Sequence, residues 1–141
     1  MKLQDILEIK GRRVHTIRPE ATLADVVESL VRHNCGSLVV CDGDQMVGII
    51  TERDILRACA TQRDGLHDRH VRDHMTPNPI TARPGSDVED IMGILTENRI
   101  RHLPITEHNR LIGIISIGDV VKAQHDALSL ENHFLKSYIH G

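Results

Sequence analysis

A chain of 141 residues accommodates one compact domain or two small repeats sharing a core, and leaves no room for separate catalytic and regulatory domains. Trp is absent and Phe and Tyr occur once each, so the core must be aliphatic, and the exposed aromatics on which single-stranded nucleic acids stack are missing. A formal net charge of −3 offers no footprint for a phosphate backbone, and the lack of long apolar runs or a signal-peptide stretch points to a cytoplasmic protein with neither membrane nor nucleic-acid partners.

Leu3, Ile6 and Leu7 predict a short N-terminal helix. A short strand, Val14–Ile17, then runs into Arg18-Pro19, where the proline ring ends it. Thr22 is the natural N-cap of a helix carrying Leu23, Val26, Val27, Leu30 and Val31 on one face. Two β-runs follow, Ser37–Cys41 and Gln45–Thr51, around the turn Asp42-Gly43-Asp44, and a second helix begins near Glu52. Residues 60–73 are polar and read as a linker. The same order then recurs: a strand Ile80–Arg83 before Pro84, and a helix with Val88, Ile91, Met92 and Leu95. Ser86 and Glu89 are expected to form the capping box of that helix. After it come β-runs His102–Thr106 and Arg110–Ser116, a helix from about Ile117, and a C-terminal helix with Leu128, Leu135, Tyr138 and Ile139.

The recurrence is internal repetition. Sliding the sequence by 65 residues aligns Thr16–Leu56 with Thr81–Val121 without a gap, and ten of the 41 pairs are identical, among them Pro19/Pro84, Asp25/Asp90, Gly48/Gly113 and Asp54/Asp119. The fold expected is α/β, two tandem β-α-β-β-α repeats packed about a pseudo-two-fold axis because neither unit covers its own apolar surface. The division is 1–60 for the first repeat with its N-terminal helix, 61–73 for the linker, 74–126 for the second repeat and 127–141 for the C-terminal helix.

At equivalent places stand Gly48-Ile49-Ile50-Thr51-Glu52-Arg53-Asp54 and Gly113-Ile114-Ile115-Ser116-Ile117-Gly118-Asp119, both G-I-I-[ST]-x-x-D. Each is a buried strand delivering a hydroxyl to a helix N-terminus, where free N–H groups and the helix dipole favour an anion. The aspartate one turn on can accept two hydrogen bonds from the vicinal hydroxyls of a ribose. The plainer reading is a helix cap in which the carboxylate returns to the backbone; two copies favour a site.

With Asn98-Arg99-Ile100-Arg101-His102-Leu103-Pro104-Ile105 before the second β-pair, this repeated motif resembles the CBS (cystathionine-β-synthase) domain family in its paired form, over nearly the whole chain. Ile6-Leu7, Lys10-Gly11 and Tyr138-Ile139-His140-Gly141 resemble the termini of small stand-alone CBS pairs. The resemblance implies two crossed clefts binding adenosine-containing molecules, AMP first, with ADP, ATP, NAD or S-adenosylmethionine as alternatives and no obligatory cofactor. Carried over, one cleft uses Ile80, Ile100, Arg101, His102 and Pro104 with Thr51, Arg53 and Asp54. Its mate uses Lys10, His15, Cys35, Gly36 and Ser37 with Ser116 and Asp119. Apolar residues and backbone would sandwich adenine, each aspartate would hold ribose, and hydroxyl and basic groups would meet phosphate. Arg101, His102 and Arg53 make the first cleft the stronger phosphate lure. Arg99 reads as a solvated cation at a helix end.

Other signals point elsewhere with less force. Ten histidines invite a metal site, and His70 and His74 would share a helical face, but the segment has no third ligand at metal spacing, so no metal is assigned. Cys35, Cys41 and Cys59 form no C-x-x-C pair and read as reduced, small apolar residues. No catalytic residues are assigned, because each cleft holds one carboxylate and no acid–base pair. The expected function is a regulatory sensor of adenine nucleotide acting on an unidentified target protein. The alternatives are a small nucleotide-utilising enzyme and a structural module with vestigial clefts. Ile55, Leu56, Val120, Val121 and the C-terminal stripe further predict a homodimer.

Overall fold

The structure, a computed structural model, describes residues 1–140, so Gly141 of the C-terminal motif lies outside the described residues. The elements in chain order are α1 (Leu3–Lys10), β1 (Thr16–Ile17), α2 (Leu23–His33), β2 (Ser37–Asp42), β3 (Gln45–Thr51), α3 (Glu52–Thr61), a 3-10 turn (Val71–Asp73), β4 (Thr76–Pro77), α4 (Val88–Glu97), β5 (His102–Glu107), β6 (Arg110–Ser116) and α5 (Ile117–His140). The two expected repeats are there, each with its own aliphatic core. Leu23, Val26, Leu30, Leu38, Val40 and Ile50 fill the first, and Val88, Ile91, Leu95, Leu103, Ile105 and Ile115 fill the second.

Within each repeat the apolar runs pair as antiparallel hairpins, Val39 opposite Ile49 and Pro104 opposite Ile114. His108 and Asn109 both take positive φ, 52° and 62°, as a two-residue type I′ hairpin turn demands. The opening strands are shorter than expected. β1 is two residues parallel to β2, and the predicted strand Ile80–Arg83 shrinks to a single parallel bridge between Ala82 and Ile105. Proline explains the second case: Pro79 and Pro84 bracket the segment and donate nothing, and Asn78 turns the chain with φ 46°.

Thr22 caps α2 as expected, in a reciprocal box with Asp25. Ser86 does not cap α4. The N-cap is Asp87, which corresponds to Thr22 in the 65-residue repeat, and its carboxylate is drawn into an ion pair with Lys2 at 2.6 Å. Ser86 instead accepts a backbone bond from the Leu3 N–H at 3.0 Å.

That contact belongs to an exchange between the halves. α1 buries Leu3, Ile6 and Leu7 in the core of the second repeat, not the first beside which it lies in sequence. The linker in turn lies on the first repeat, where Val71 is fully buried and Leu66 and Met75 pack against the core. Arg69 from the same segment donates to the Ala58 and Gln62 carbonyls at the end of α3, adding a cation where the helix dipole is negative. The two covering segments match in register. Leu3 N–H bonds Ser86 O as Val71 N–H bonds Ala21 O, and Gln4 N–H bonds Pro84 O as Arg72 N–H bonds Pro19 O.

The motif glycines make room for these segments. A Cβ on Gly48 would stand 2.7 Å from Met75 Sδ, and one on Gly113 would stand 2.7 Å from Leu7 Cδ2. Only a bare backbone admits so close a neighbour.

The second closing helix and the C-terminal helix are one continuous element, α5, of 24 residues, or about 36 Å at 1.5 Å per residue. Val120, expected on an exposed face, is fully buried, because with Ala123 it forms the stripe that seats the first turns of α5 on the second core; Ile55 is likewise packed on the first. Leu56, Val121, Leu128, Phe134, Leu135 and Tyr138 are exposed. No helix among the described residues is long and apolar enough to cross a membrane.

Candidate functional site

β3 and β6 meet near the pseudo-axis, and each feeds directly into a helix, α3 or α5. At the first junction Thr51 is the N-cap. Its N–H donates to Asp54 Oδ2 at 2.9 Å, its hydroxyl contacts the same oxygen at 3.1 Å, and its Oγ1 accepts the Asp54 N–H at 3.3 Å. The plain capping interpretation of the motif is therefore realised. It occupies only one carboxylate oxygen, and Asp54 Oδ1 accepts nothing among the described residues, so capping and ligand binding do not compete for one atom.

Beside this junction lies a cavity of about 840 Å³, a volume suited to a small organic ligand. Thr51, Arg53 and Asp54 of the first repeat line it together with Ile80, Ile100, Arg101 and His102 of the second. Seven of the eight residues assigned to the first cleft thus gather at one place. Pro104 does not: it is buried in β5, and its carbonyl accepts the Ala82 N–H at 3.1 Å.

Sequence reasoning passed over several wall residues. Arg57 lies one turn beyond Arg53 on α3, a helical spacing that was available as a signal. Arg99, read as a solvated helix-end cation, is exposed but stands at the rim of the cavity, carried there by a positive φ of 53°. Arg53, Arg57, Arg99 and Arg101 therefore surround one space, and none has a carboxylate within 4 Å among the described residues. Unneutralised guanidiniums converging on a concave surface are a receptor for an anion.

His102 sits at the inner wall. Burial pushes its pKa below the ordinary histidine value, with Lys10 and Arg101 acting in the same direction and Glu52 and Asp119 opposing them. It can approach the first repeat because Gly36 has no side chain: a Cβ there would stand 3.2 Å from His102 Nε2 and 3.3 Å from Glu52 Oε1.

The second set of residues does not gather in the same way. Gly36 and Ser116 line the first cavity instead. Cys35 packs against the first core with its thiol directed to the Ser37 carbonyl at 3.5 Å, and Ser37 is buried at the start of β2. The His15 ring stacks on His33 with centroids 3.9 Å apart; burial, then the charges of His33 and Arg13, push its pKa down. Ser116 and Asp119 repeat the capping geometry of Thr51 and Asp54, with Ser116 N–H to Asp119 Oδ2 at 2.8 Å. Here the same oxygen also receives Lys10 Nζ at 2.6 Å. Burial alone would raise the Asp119 pKa, but Lys10 and the Ser116 N–H outweigh it and hold the carboxyl below its usual range.

All three cysteines are free, and burial pushes the Cys41 thiol up, away from thiolate chemistry. His70 and His74 flank a 3-10 turn rather than sharing the face of an α-helix.

The CBS domain model matches residues 5–61 and 71–126. The chain is 37% identical to the mitochondrial CBS domain-containing protein CBSX3 of Arabidopsis thaliana, an alignment covering 99% of this chain and 72% of that protein. Its fold is similar to the crystal structure of the CBS-domain containing protein ATU1752 from Agrobacterium tumefaciens, with a TM-score of 0.86, 39% identity, and coverage of 88% of this chain and 99% of that one. It is also similar to CBSX2 solved in complex with AMP, with a TM-score of 0.74, 26% identity, and coverage of 89% and 97%. With both repeats matched and the fold shared over 88% of its length, this chain belongs to the CBS domain family as a tandem CBS pair.

Proposed function

We propose that the protein is a regulatory module that binds an adenine nucleotide, AMP first among the candidates, in the cavity between Thr51–Asp54 and Ile100–His102. The observation that carries the reading is the convergence of a half-used aspartate and four unpaired arginines, drawn from both repeats, on one cavity. Asp54 Oδ1 holds the ribose hydroxyls, Ile80 and Ile100 flank the base, and the arginines with His102 receive phosphate. The AMP complex of the structurally similar CBSX2 supports this class of ligand. A regulatory role is supported by the make-up of the wall, where Glu52 and Asp54 share the cavity with four guanidiniums, a lining suited to holding an anion.

Thermal unfolding tests the reading. AMP at about 100 times its Kd stabilises the folded state by roughly 2.7 kcal/mol and raises Tm by several degrees. GMP and inorganic pyrophosphate are expected to do markedly less, and equal shifts from all three would replace the adenosine site with a simple anion site.

We propose further that the protein is a homodimer. α5 extends its core stripe of Val120 and Ala123 into a segment where Leu128, Phe134 and Leu135 are exposed, more apolar surface than an isolated helix leaves in water. Light scattering at micromolar concentration checks this, and a monomer mass contradicts it.

A further inference from the structure

Superposing the two halves by their internal repeat sets Ile49 and Asp54, which both line the cavity, on Ile114 and Asp119. In the second half, one ammonium group joins the corresponding atoms: Lys10 Nζ donates to the Ile114 carbonyl at 2.7 Å and to Asp119 Oδ2 at 2.6 Å. Lys10 is the last residue of α1, the helix exchanged onto the second repeat. The covering segments correspond at a spacing of 68 residues at Leu3/Val71 and Leu7/Met75; beyond these α1 stays helical to Lys10, whereas the first repeat's segment runs extended through β4 to Asn78, 68 positions after Lys10. Asn78 lines the open cavity, and its shorter, neutral side chain makes no bond to Asp54 among the described residues.

We propose that the Lys10–Asp119 pair is an internal plug that holds the second cleft shut, so that the chain takes one nucleotide at Asp54 and takes a second only when Lys10 lets go. The proposal rests on the reading that the Asp54 cavity is the nucleotide site. It makes the end of α1 the moving part: a ligand seated against Asp119 must displace the ammonium, and the helix bearing it is the one covering the second core. The apparent affinity of the plugged cleft is its intrinsic affinity reduced by the fraction of molecules in which the pair is open. The carboxylate also enters the competition already bonded to a cation and to the Ser116 N–H.

Equilibrium dialysis with radiolabelled AMP tests this on the intact chain. Wild type is expected to bind one AMP per chain. Lys10→Met keeps the aliphatic stem and removes the ammonium, and is expected to bind two, with second-site affinity raised by about tenfold or more. Lys10→Arg retains a cation for Asp119 and is expected to remain at one, which guards against a general loosening of α1. The second AMP gained by Lys10→Met is expected to vanish in Lys10→Met/Asp119→Asn and to survive in Lys10→Met/Asp54→Asn. Two AMP bound by wild type, or one by wild type and still only one by Lys10→Met, overturns the plug and leaves the Asp54 reading standing. One AMP bound by Lys10→Met at Asp119 and none by wild type upholds the plug and removes the Asp54 reading. No binding in any variant overturns both.

Discussion

The two halves share a motif, a cap and an exchanged covering segment, yet one presents an open cationic cavity and the other a closed ion pair. What differs is the chain laid across each junction. Over the first repeat it is β4 and Asn78, which border the cavity; over the second it is the final turn of α1, which ends in Lys10 and fills the corresponding place. Equal motifs therefore do not make equal sites. The residues that decide are supplied from outside the repeat, by the segment that the other half lends.

The strongest test of that view removes the covering segment's anchor. Leu7 is fully buried in the second core, and truncating a buried leucine to alanine costs about 2–5 kcal/mol. Leu7→Ala is expected to fall in that range by urea unfolding, although α1 lies outside the second repeat in sequence. Met75→Ala, at the corresponding but partly exposed position, is expected to cost less. A loss below about 1 kcal/mol for Leu7→Ala shows the exchange to be incidental to stability.

Next come the aspartates. Asn in place of Asp54 can keep an oxygen for the Thr51 N–H, so apo stability is expected to fall only slightly. It loses the charge that strengthens the bond to a ribose hydroxyl, and AMP affinity is expected to drop by about 1.5–3 kcal/mol, or roughly ten- to hundredfold, in calorimetric titration. Asp119→Asn in the wild-type background is expected to leave AMP affinity nearly unchanged, because that carboxylate is already engaged by Lys10. Equal losses from both substitutions make the halves functionally symmetric and end the comparison.

The glycines give a smaller, graded effect. On Gly48 a methyl would meet not only Met75 Sδ but the Thr76 carbonyl at 2.8 Å, backbone held by the β3–β4 pairing, whereas on Gly113 it meets the end of the Leu7 side chain. Gly48→Ala is therefore expected to cost about 1–3 kcal/mol and Gly113→Ala less, since Leu7 can turn aside. The reverse order in thermal melts indicates that the Leu7 contact is the more rigid one.

Much of this was legible in the sequence where neighbours along the chain decide it. The Thr22 cap, the hairpins and the two β3-α3-like junctions follow from local periodicity and spacing, and seven of the residues that the resemblance grouped together line the first cavity. The exchange of covering segments was not legible, for a physical reason. The repeats recur at 65 residues but the covering segments at 68, and of the pairs Leu3/Val71, Gln4/Arg72, Asp5/Asp73, Ile6/His74 and Leu7/Met75 only one is identical. Burial needs only an apolar residue of suitable size at each place, so the register leaves little trace in identity. The resemblance set Lys10 and Asp119 in one cleft but did not pair them: they meet across 109 positions, and no local pattern on either element points to the other. The capping box at Ser86 failed because its spacing is a local rule, and a tertiary partner, Lys2, stands at the next residue, Asp87.

The last and smallest effect is a pH dependence at the open cavity. Folding lowers the His102 pKa, chiefly by burial, with Lys10 and Arg101 adding to it against Glu52 and Asp119. Near neutral pH the folded state thus binds fewer protons at this site than the unfolded chain. Its contribution to apo stability is full above the unfolded value of about 6.5 and falls as pH drops through it. A phosphate seated among the four arginines adds negative charge beside the ring and draws the pKa back up, so binding takes up a proton. The affinity for AMP through His102 should then rise as pH falls from about 7.5 to about 6, by at most roughly tenfold for each pKa unit recovered. Protonation of the phosphate itself, with pKa near 6, weakens binding over the same interval and acts on any variant alike. His102→Gln separates the two: it keeps a polar side chain of similar reach and cannot titrate. The ratio of wild-type to His102→Gln affinity, measured calorimetrically at several pH values, is expected to climb toward acid. Parallel curves for the two proteins would show that phosphate does not sit against His102, and would move the anion to the Arg53 and Arg57 side of the cavity.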